Sequence, residues 1–144
     1  MQQKNKTNYA LKNSIAYRMI RGANKVNKML NKKLSSYNIA IEQRATLEII
    51  KFESNDNQTT IANLLGKDKA TISRSIDSLE KKGLVKKFGI IGDKRSNSIE
   101  LTEAGEQVLN DTLDEITSYR ESLNKKLTAE ELDMFFRIID KLEL

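Results

Sequence analysis

A mainly α-helical fold with one small β-hairpin is what this 144-residue sequence predicts, and three observations carry the prediction. Apolar residues recur at steps of three and four through most of the chain, which is the helical period. One stretch departs from it: Leu84 to Phe88 and Asn97 to Leu101 read as strand-like runs, joined by a Gly89 to Ser96 connection that contains Gly92. The composition, 31% charged and 38% hydrophobic, is that of a folded domain, and the length suits a single domain spanning 1–144 with a core of its own.

The first long helix is expected from about Asn8 to Leu34. Leu11, Ile15, Met19, Val26, Leu30 and Leu34 form an apolar stripe, with Lys12, Arg18, Arg21, Lys25, Lys28 and Lys32 mostly elsewhere. A basic amphipathic helix can lie on a membrane surface, but Gly22 and the scattered asparagines favour packing against partner helices. At about 1.5 Å per residue it would reach ~40 Å, longer than a small domain needs, so its ends are expected to contact a second subunit. Ser35 to Ile41 is the connection to a second helix, Glu42 to Phe52. Its stripe is Ala45, Ile49 and Phe52, with Leu47 and Ile50 beside it. The polar run Glu53 to Gln58 is a loop rather than a domain boundary.

Two short helices follow. The first, about Thr59 to Leu65, has Asn57 as a candidate N-cap, Ile61, Ala62, Leu64 and Leu65 for packing, and Gly66 opening the turn. Asp68 is a plausible N-cap for the second, because its carboxylate can accept from first-turn N–H groups and suits the positive end of the helix dipole. Ile72, Ile76 and Leu79 point inward, leaving Lys69, Ala70, Thr71, Ser73 and Arg74 on a short, polar, partly cationic face. Such a face suits the major groove: small residues allow close approach, and Thr71, Ser73 and Arg74 can donate to bases or phosphates. Lys81, Lys82 and Gly83 mark the helix end.

The hairpin then has a basic tip. Asp93, Lys94, Arg95 and Ser96 fall in its connection, and an arginine on a protruding tip suits a narrow, strongly negative minor groove. Lys86 and Lys87 would lie along or beyond the same side. Helix, turn, helix and hairpin in this order make a winged helix-turn-helix. Charge agrees with that use: residues 58–101 are net +4, and the pI is about 9.3.

Thr102 caps a long helix that runs through Val108, Leu109, Leu113, Ile116, Tyr119 and Leu123. Thr128 and Glu131 form a capping-box pattern that opens the last helix, which carries Leu132, Phe135, Phe136, Ile139 and Leu142. That dense apolar set is either intramolecular core or a contact with a second subunit. Net charge is split between the ends, +9 over residues 1–34 and −6 over 102–144.

Several function classes are disfavoured. Without cysteine there is no disulfide framework or thiol sensor, and without histidine the commonest metal ligand and general base is gone. No paired-carboxylate, phosphate-loop or nucleophile-elbow motif is present, so neither catalysis, nor a metal, nor a cofactor is expected. No apolar run approaches the roughly 18 residues of a membrane span, and the basic N-terminus lacks a signal-peptide hydrophobic region, so a cytoplasmic protein is expected.

TISRSIDSLEKKGLV at residues 71–85, the Asp93-Lys94-Arg95 tip and LTEAG at 101–105 together resemble the MarR family of winged-helix transcription regulators, a likeness that extends over essentially the whole chain. Two positions depart from the family's usual pattern: Lys67 stands where an aliphatic residue is more common, and Ala40 replaces the usual threonine or serine cap. The resemblance implies a DNA-binding lobe at about 42–101, carrying Lys69, Ala70, Thr71, Ser73, Arg74, Lys94, Arg95 and Ser96. It also implies a homodimer built from helices at about 8–34 and 102–144, through Leu11, Ile15, Met19, Leu132, Phe135, Phe136, Ile139 and Leu142. Two lobes about one DNA turn apart, ~34 Å, would meet a pseudo-palindromic operator in double-stranded DNA. The function so implied is repression of a nearby promoter, released by a small-molecule or other signal. Tyr9, Tyr17, Tyr37 and Phe52 could line an effector cleft, though each is equally readable as core or surface. The alternative function is a winged helix that works through protein contacts or binds DNA non-specifically.

Overall fold

The computed structural model describes residues 10–53, 57–90 and 93–144, and for residues 90 and 93–97 the backbone alone. It divides into two compact units, Met1–Ile41 and Glu42–Leu144.

The first unit is dominated by helix α1, Ile15–Leu34. The helix does not begin near Asn8, which lies outside the described residues. A single tight turn at Leu11–Asn13 precedes it, and Ser14, in extended conformation, ends that turn and caps α1 by accepting from the Tyr17 N–H at 3.3 Å. The helix is therefore 20 residues long, or about 30 Å, shorter than its apolar period implied. Leu30 and Leu34 are buried, whereas Leu11, Ile15, Ile20 and Met29 are exposed. After a second short turn, Ser35–Tyr37, and Asn38 in the left-handed region, α2 runs from Ile41 to Phe52. Ala40 offers no side-chain cap; instead Asn31 Oδ1 accepts from the Ile41 N–H at 2.7 Å. That bond satisfies one of the N–H groups a helix start leaves without an intrahelical partner.

The second unit contains the rest of α2, then α3 (Gln58–Leu65), α4 (Lys69–Lys81), β1 (Val85–Ile90), β2 (Asp93–Leu101), α5 (Glu103–Asn124) and α6 (Ala129–Lys141). Its core gathers Leu47, Ile50, Ile61, Ala62, Ile72, Ile76, Leu79, Leu84, Val85, Ile99, Leu109 and Ile116. One expected stripe is rotated. On α2 the buried side chains are Ile41, Arg44, Thr46, Leu47 and Ile50, while Phe52 stands 72% exposed at the helix end; on α3 Ile61 and Ala62 are buried as expected and Leu64 is exposed. A stripe chosen by hydrophobicity alone passed over Arg44, because a charged side chain is assigned to solvent unless its partners are known.

The hairpin is antiparallel, with Val85 opposite Leu101, Lys87 opposite Ile99 and Ile90 opposite Asp93. An irregularity between Phe88 and Ile90 absorbs Gly89, so the strands continue past it. Asp93, Lys94, Arg95 and Ser96 accordingly belong to β2 rather than to a loop from Gly89 to Ser96.

The β2–α5 junction explains the LTEAG segment physically. Thr102 accepts from the Gly105 N–H at 3.1 Å, donates its hydroxyl to the Gly83 carbonyl at 2.6 Å, and its own N–H reaches the Leu84 carbonyl at 3.1 Å. Gly105 is buried so close to Leu84 that a Cβ there would collide with the Leu84 carbonyl oxygen. One residue thus caps α5 while the other lets it approach the strand connection. No described helix is long and apolar enough to cross a membrane.

Candidate nucleic-acid interface

The helix-turn-helix is built from caps and a buried stripe. Asn57 caps α3 by accepting from the Thr60 N–H at 2.8 Å, and Gly66 takes φ 63°, a left-handed conformation that favours glycine, to end it. Asp68 then caps α4 by accepting from the Thr71 N–H at 2.7 Å. This bond, more than any other cause, holds the Asp68 carboxyl below its ordinary value, so it stays ionised at the positive end of the helix. Ile72, Ile76 and Leu79 are fully or almost fully buried and set the rotation of α4. Lys69, Ala70 and Arg74 are therefore exposed, with Thr71 and Ser73 half-buried beside them. Arg74 Nη2 donates to Thr71 Oγ1 at 3.3 Å, one turn back toward the helix start. All five α4 residues expected at DNA lie on or beside one open face.

The wing differs from expectation at Lys87. Its Nζ donates to Asp77, its N–H donates to Glu80 at 3.3 Å, and its charge is spent on α4 rather than offered outward. Lys86 is exposed, with Nζ 5.3 Å from the centre of the exposed Phe88 ring. The side chains of Lys94, Arg95 and Ser96 lie outside the described residues.

Three consecutive residues at the start of α2 hold the interface in place, and sequence reasoning missed all three. Glu42 Oε1 pairs with Lys67 Nζ at 3.0 Å, which gives the unusual turn lysine a partner. Gln43 donates to the Ser78 hydroxyl at 3.2 Å and accepts from Lys82 Nζ at 3.0 Å, tying α2 to the far end of α4. Arg44, only 1% exposed, donates Nε–H to Thr112 Oγ1 of α5 at 2.8 Å and Nη1–H to Glu48 at 3.0 Å. Glu48 in turn accepts two bonds from Arg120 of α5, both 2.9 Å, in a fork-to-fork pair. Those Arg120 bonds are the first cause that keeps Glu48 below the ordinary carboxylate value. Burial holds the Arg44 guanidinium below its ordinary value, against the pull of Glu48, while the Glu48 hydrogen bonds raise Arg120. The only sequence signal for this cluster was spacing: Arg44 and Glu48 are one helical turn apart.

The residues expected at a dimer contact are divided between the two ends. Leu11 and Ile15 are exposed and Met19 is half-buried. On α6, Phe135 and Phe136 are more than half exposed, with ring centres 6.1 Å apart, and Leu142 is 36% exposed at the helix end. Leu132 and Ile139 are half-buried. No residue of α6 is buried, so its apolar face is open in the single chain.

Residues 39–96 match the family model described as the MarR family. Solved structures share the fold. A DNA complex of Staphylococcus aureus MepR is 23% identical, with a TM-score of 0.81 over 90% of this chain and 96% of that one. A MarR/EmrR family transcriptional regulator from Acinetobacter sp. ADP1 is 25% identical, with a TM-score of 0.81 over 89% and 91%. A mutant MarR from Escherichia coli, complexed with operator DNA, is 24% identical, with a TM-score of 0.77 over 93% and 97%.

Proposed function

We propose that the chain is a transcription regulator of the MarR family that binds a specific double-stranded operator as a homodimer, a reading supported by the match of residues 39–96 to that family's model. One observation carries the reading most directly. The buried Ile72, Ile76 and Leu79 rotate α4 so that Lys69, Ala70, Thr71, Ser73 and Arg74 face outward together, small and donating, as a major-groove helix requires. In this reading Arg74 reads a base edge, Lys69 meets phosphate, and Lys94, Arg95 and Ser96 of the wing reach the adjacent minor groove. MepR and MarR solved on DNA support the assignment of DNA as the partner.

The homodimer forms through the open apolar faces of α1 and α6, including Leu11, Ile15, Met19, Leu132, Phe135, Phe136, Ile139 and Leu142. Burying apolar area of this kind is the principal favourable term in subunit association. The Arg44–Thr112 and Glu48–Arg120 bonds supply a route for regulation: α2, which holds α4 through Gln43, is also fastened to α5. A signal that tilts α5 carries α4 with it, changes the spacing of the two recognition helices, and releases the promoter that the dimer represses. The protein acts in the cytoplasm, where its operator is.

Selection of bound duplexes from a random-sequence pool tests this reading. A dimeric regulator enriches an inverted repeat whose half-sites are about one helical turn apart. Enrichment of no sequence, with DNA still retained, would replace it with non-specific binding.

A further inference from the structure

The wing is a two-stranded ribbon, marginally stable alone, so its direction is set by what its base rests on. Val85 and Ile99 anchor the base in the core, whereas Lys86, Phe88, Gly89, Ser98 and Glu100 are exposed. Lys87 lies opposite Ile99 in the pairing and holds β1 against α4 by three contacts. Its Nζ donates to Asp77 Oδ1 and lies 4.0 Å from Glu80 Oε1, and its N–H, on the edge of β1 away from β2, donates to Glu80 Oε2 at 3.3 Å. Asp77 and Glu80 are neighbours on the surface of α4, so one ammonium reaches both. An isolated surface ion pair fixes little, because two long side chains must be held in one geometry. Here the backbone N–H of the same residue shares the acceptor, which ties down the strand itself as well as the side-chain tip.

We propose that Lys87 is a positioning residue for DNA binding: it clamps the wing to α4, so that the helix and the wing tip enter adjacent grooves at one fixed angle, and it does so without touching DNA. The inference rests on the DNA-binding reading above and deepens it. A major-groove helix and a minor-groove wing bind together only when the angle between them matches the duplex. A wing free to swing would have to be ordered on binding, and that ordering lowers affinity. The clamp also sets a cation between two carboxylates of α4 that would otherwise repel nearby phosphates.

Affinity and footprints of the full chain on one duplex, the sequence most enriched from the random-sequence pool, test the proposal. Lys87→Met keeps the stem and removes the charge. It is expected to weaken binding by about 2- to 30-fold, the range for a residue that acts on a site it does not touch, with the salt dependence unchanged. Hydroxyl-radical protection of the minor groove flanking each half-site is expected to fade, while guanine N7 atoms in the major groove stay protected from methylation. Lys87→Arg, whose fork can span both carboxylates, is expected to restore affinity and flanking protection. Asp77→Asn with Glu80→Gln opens the clamp from the other side and is expected to lose the same flanking protection, although it removes two negative charges. Circular dichroism identifies a variant that fails to fold, in which case the other decides. A Lys87→Met footprint like that of wild type, or flanks still protected in the Asp77 and Glu80 variant, would overturn the clamp. So would a salt slope smaller by about one for Lys87→Met, which would make Lys87 a phosphate contact. A wild-type chain that enriches no sequence and protects no duplex would overturn the DNA-binding reading and the clamp with it.

Discussion

Arg44 of α2 and Thr112 of α5 are joined by a 2.8 Å hydrogen bond although 68 positions separate them, and both side chains are buried. The Thr112 hydroxyl accepts from Arg44 Nε–H and donates to the Val108 carbonyl at 2.7 Å, so neither group is left without a partner. Thr112→Val keeps the shape and removes the acceptor, leaving a guanidinium N–H buried and unpaired. The expected cost is about 1–3 kcal/mol, read from urea unfolding at neutral pH. Unchanged stability would mean that the bond is replaced by another partner in solution.

The Glu48 carboxyl makes stability depend on pH. Its folded value lies below the ordinary 4.5, first because of the Arg120 hydrogen bonds, so its contribution is present above 4.5 and is lost as the pH falls through the lower folded value. Wild type should therefore lose stability on acidification through this window more steeply than Glu48→Gln, which cannot ionise. The two curves should converge at acid pH. Parallel curves in denaturant titrations taken at successive pH values would refute the assignment.

Gly105 should tolerate no side chain. A methyl at this position meets the Leu84 carbonyl oxygen, backbone that cannot rotate away and that already accepts from the Thr102 N–H. Gly105→Ala should destabilise by about 1–3 kcal/mol through overpacking. Ala104→Ser, on the exposed side of the same turn, should stay within about 0.5 kcal/mol of wild type in the same thermal unfolding assay.

Arg74 separates base reading from phosphate contact. Arg74→Ala should weaken binding to the selected operator by about 1–3 kcal/mol and relax preference at one position of each half-site. An equal loss on operator and unrelated duplex, with a smaller salt slope, would assign Arg74 to phosphate instead.

Features written into neighbouring residues were legible in the sequence. The caps Asn57, Asp68 and Thr102, the Thr128–Glu131 capping box, and the inward Ile72, Ile76 and Leu79 all follow from local hydrogen-bonding capacity or helical period, and each stands where expected. Features that depend on distant partners were not. Arg44 is buried because Thr112 and Glu48 receive its protons, and no period reveals that. Lys87 turns toward Asp77 and Glu80 rather than outward because α4 brings two carboxylates to the strand. α1 starts later than the apolar period suggests, because Leu11 continues that period into a separate turn that Ser14 ends. The strands of the wing run further than the turn residues suggest, because Gly89 is accommodated by an irregularity in the pairing instead of ending it.

The most direct test of sequence-specific regulation is titration of the purified protein, across a salt series, on the DNA upstream of its own gene and on an unrelated duplex of equal length. The account predicts binding to the upstream DNA tighter by ~10³-fold or more, with two subunits per site. Equal affinity for both duplexes, falling steeply with salt, would contradict it and leave only recognition of the DNA backbone.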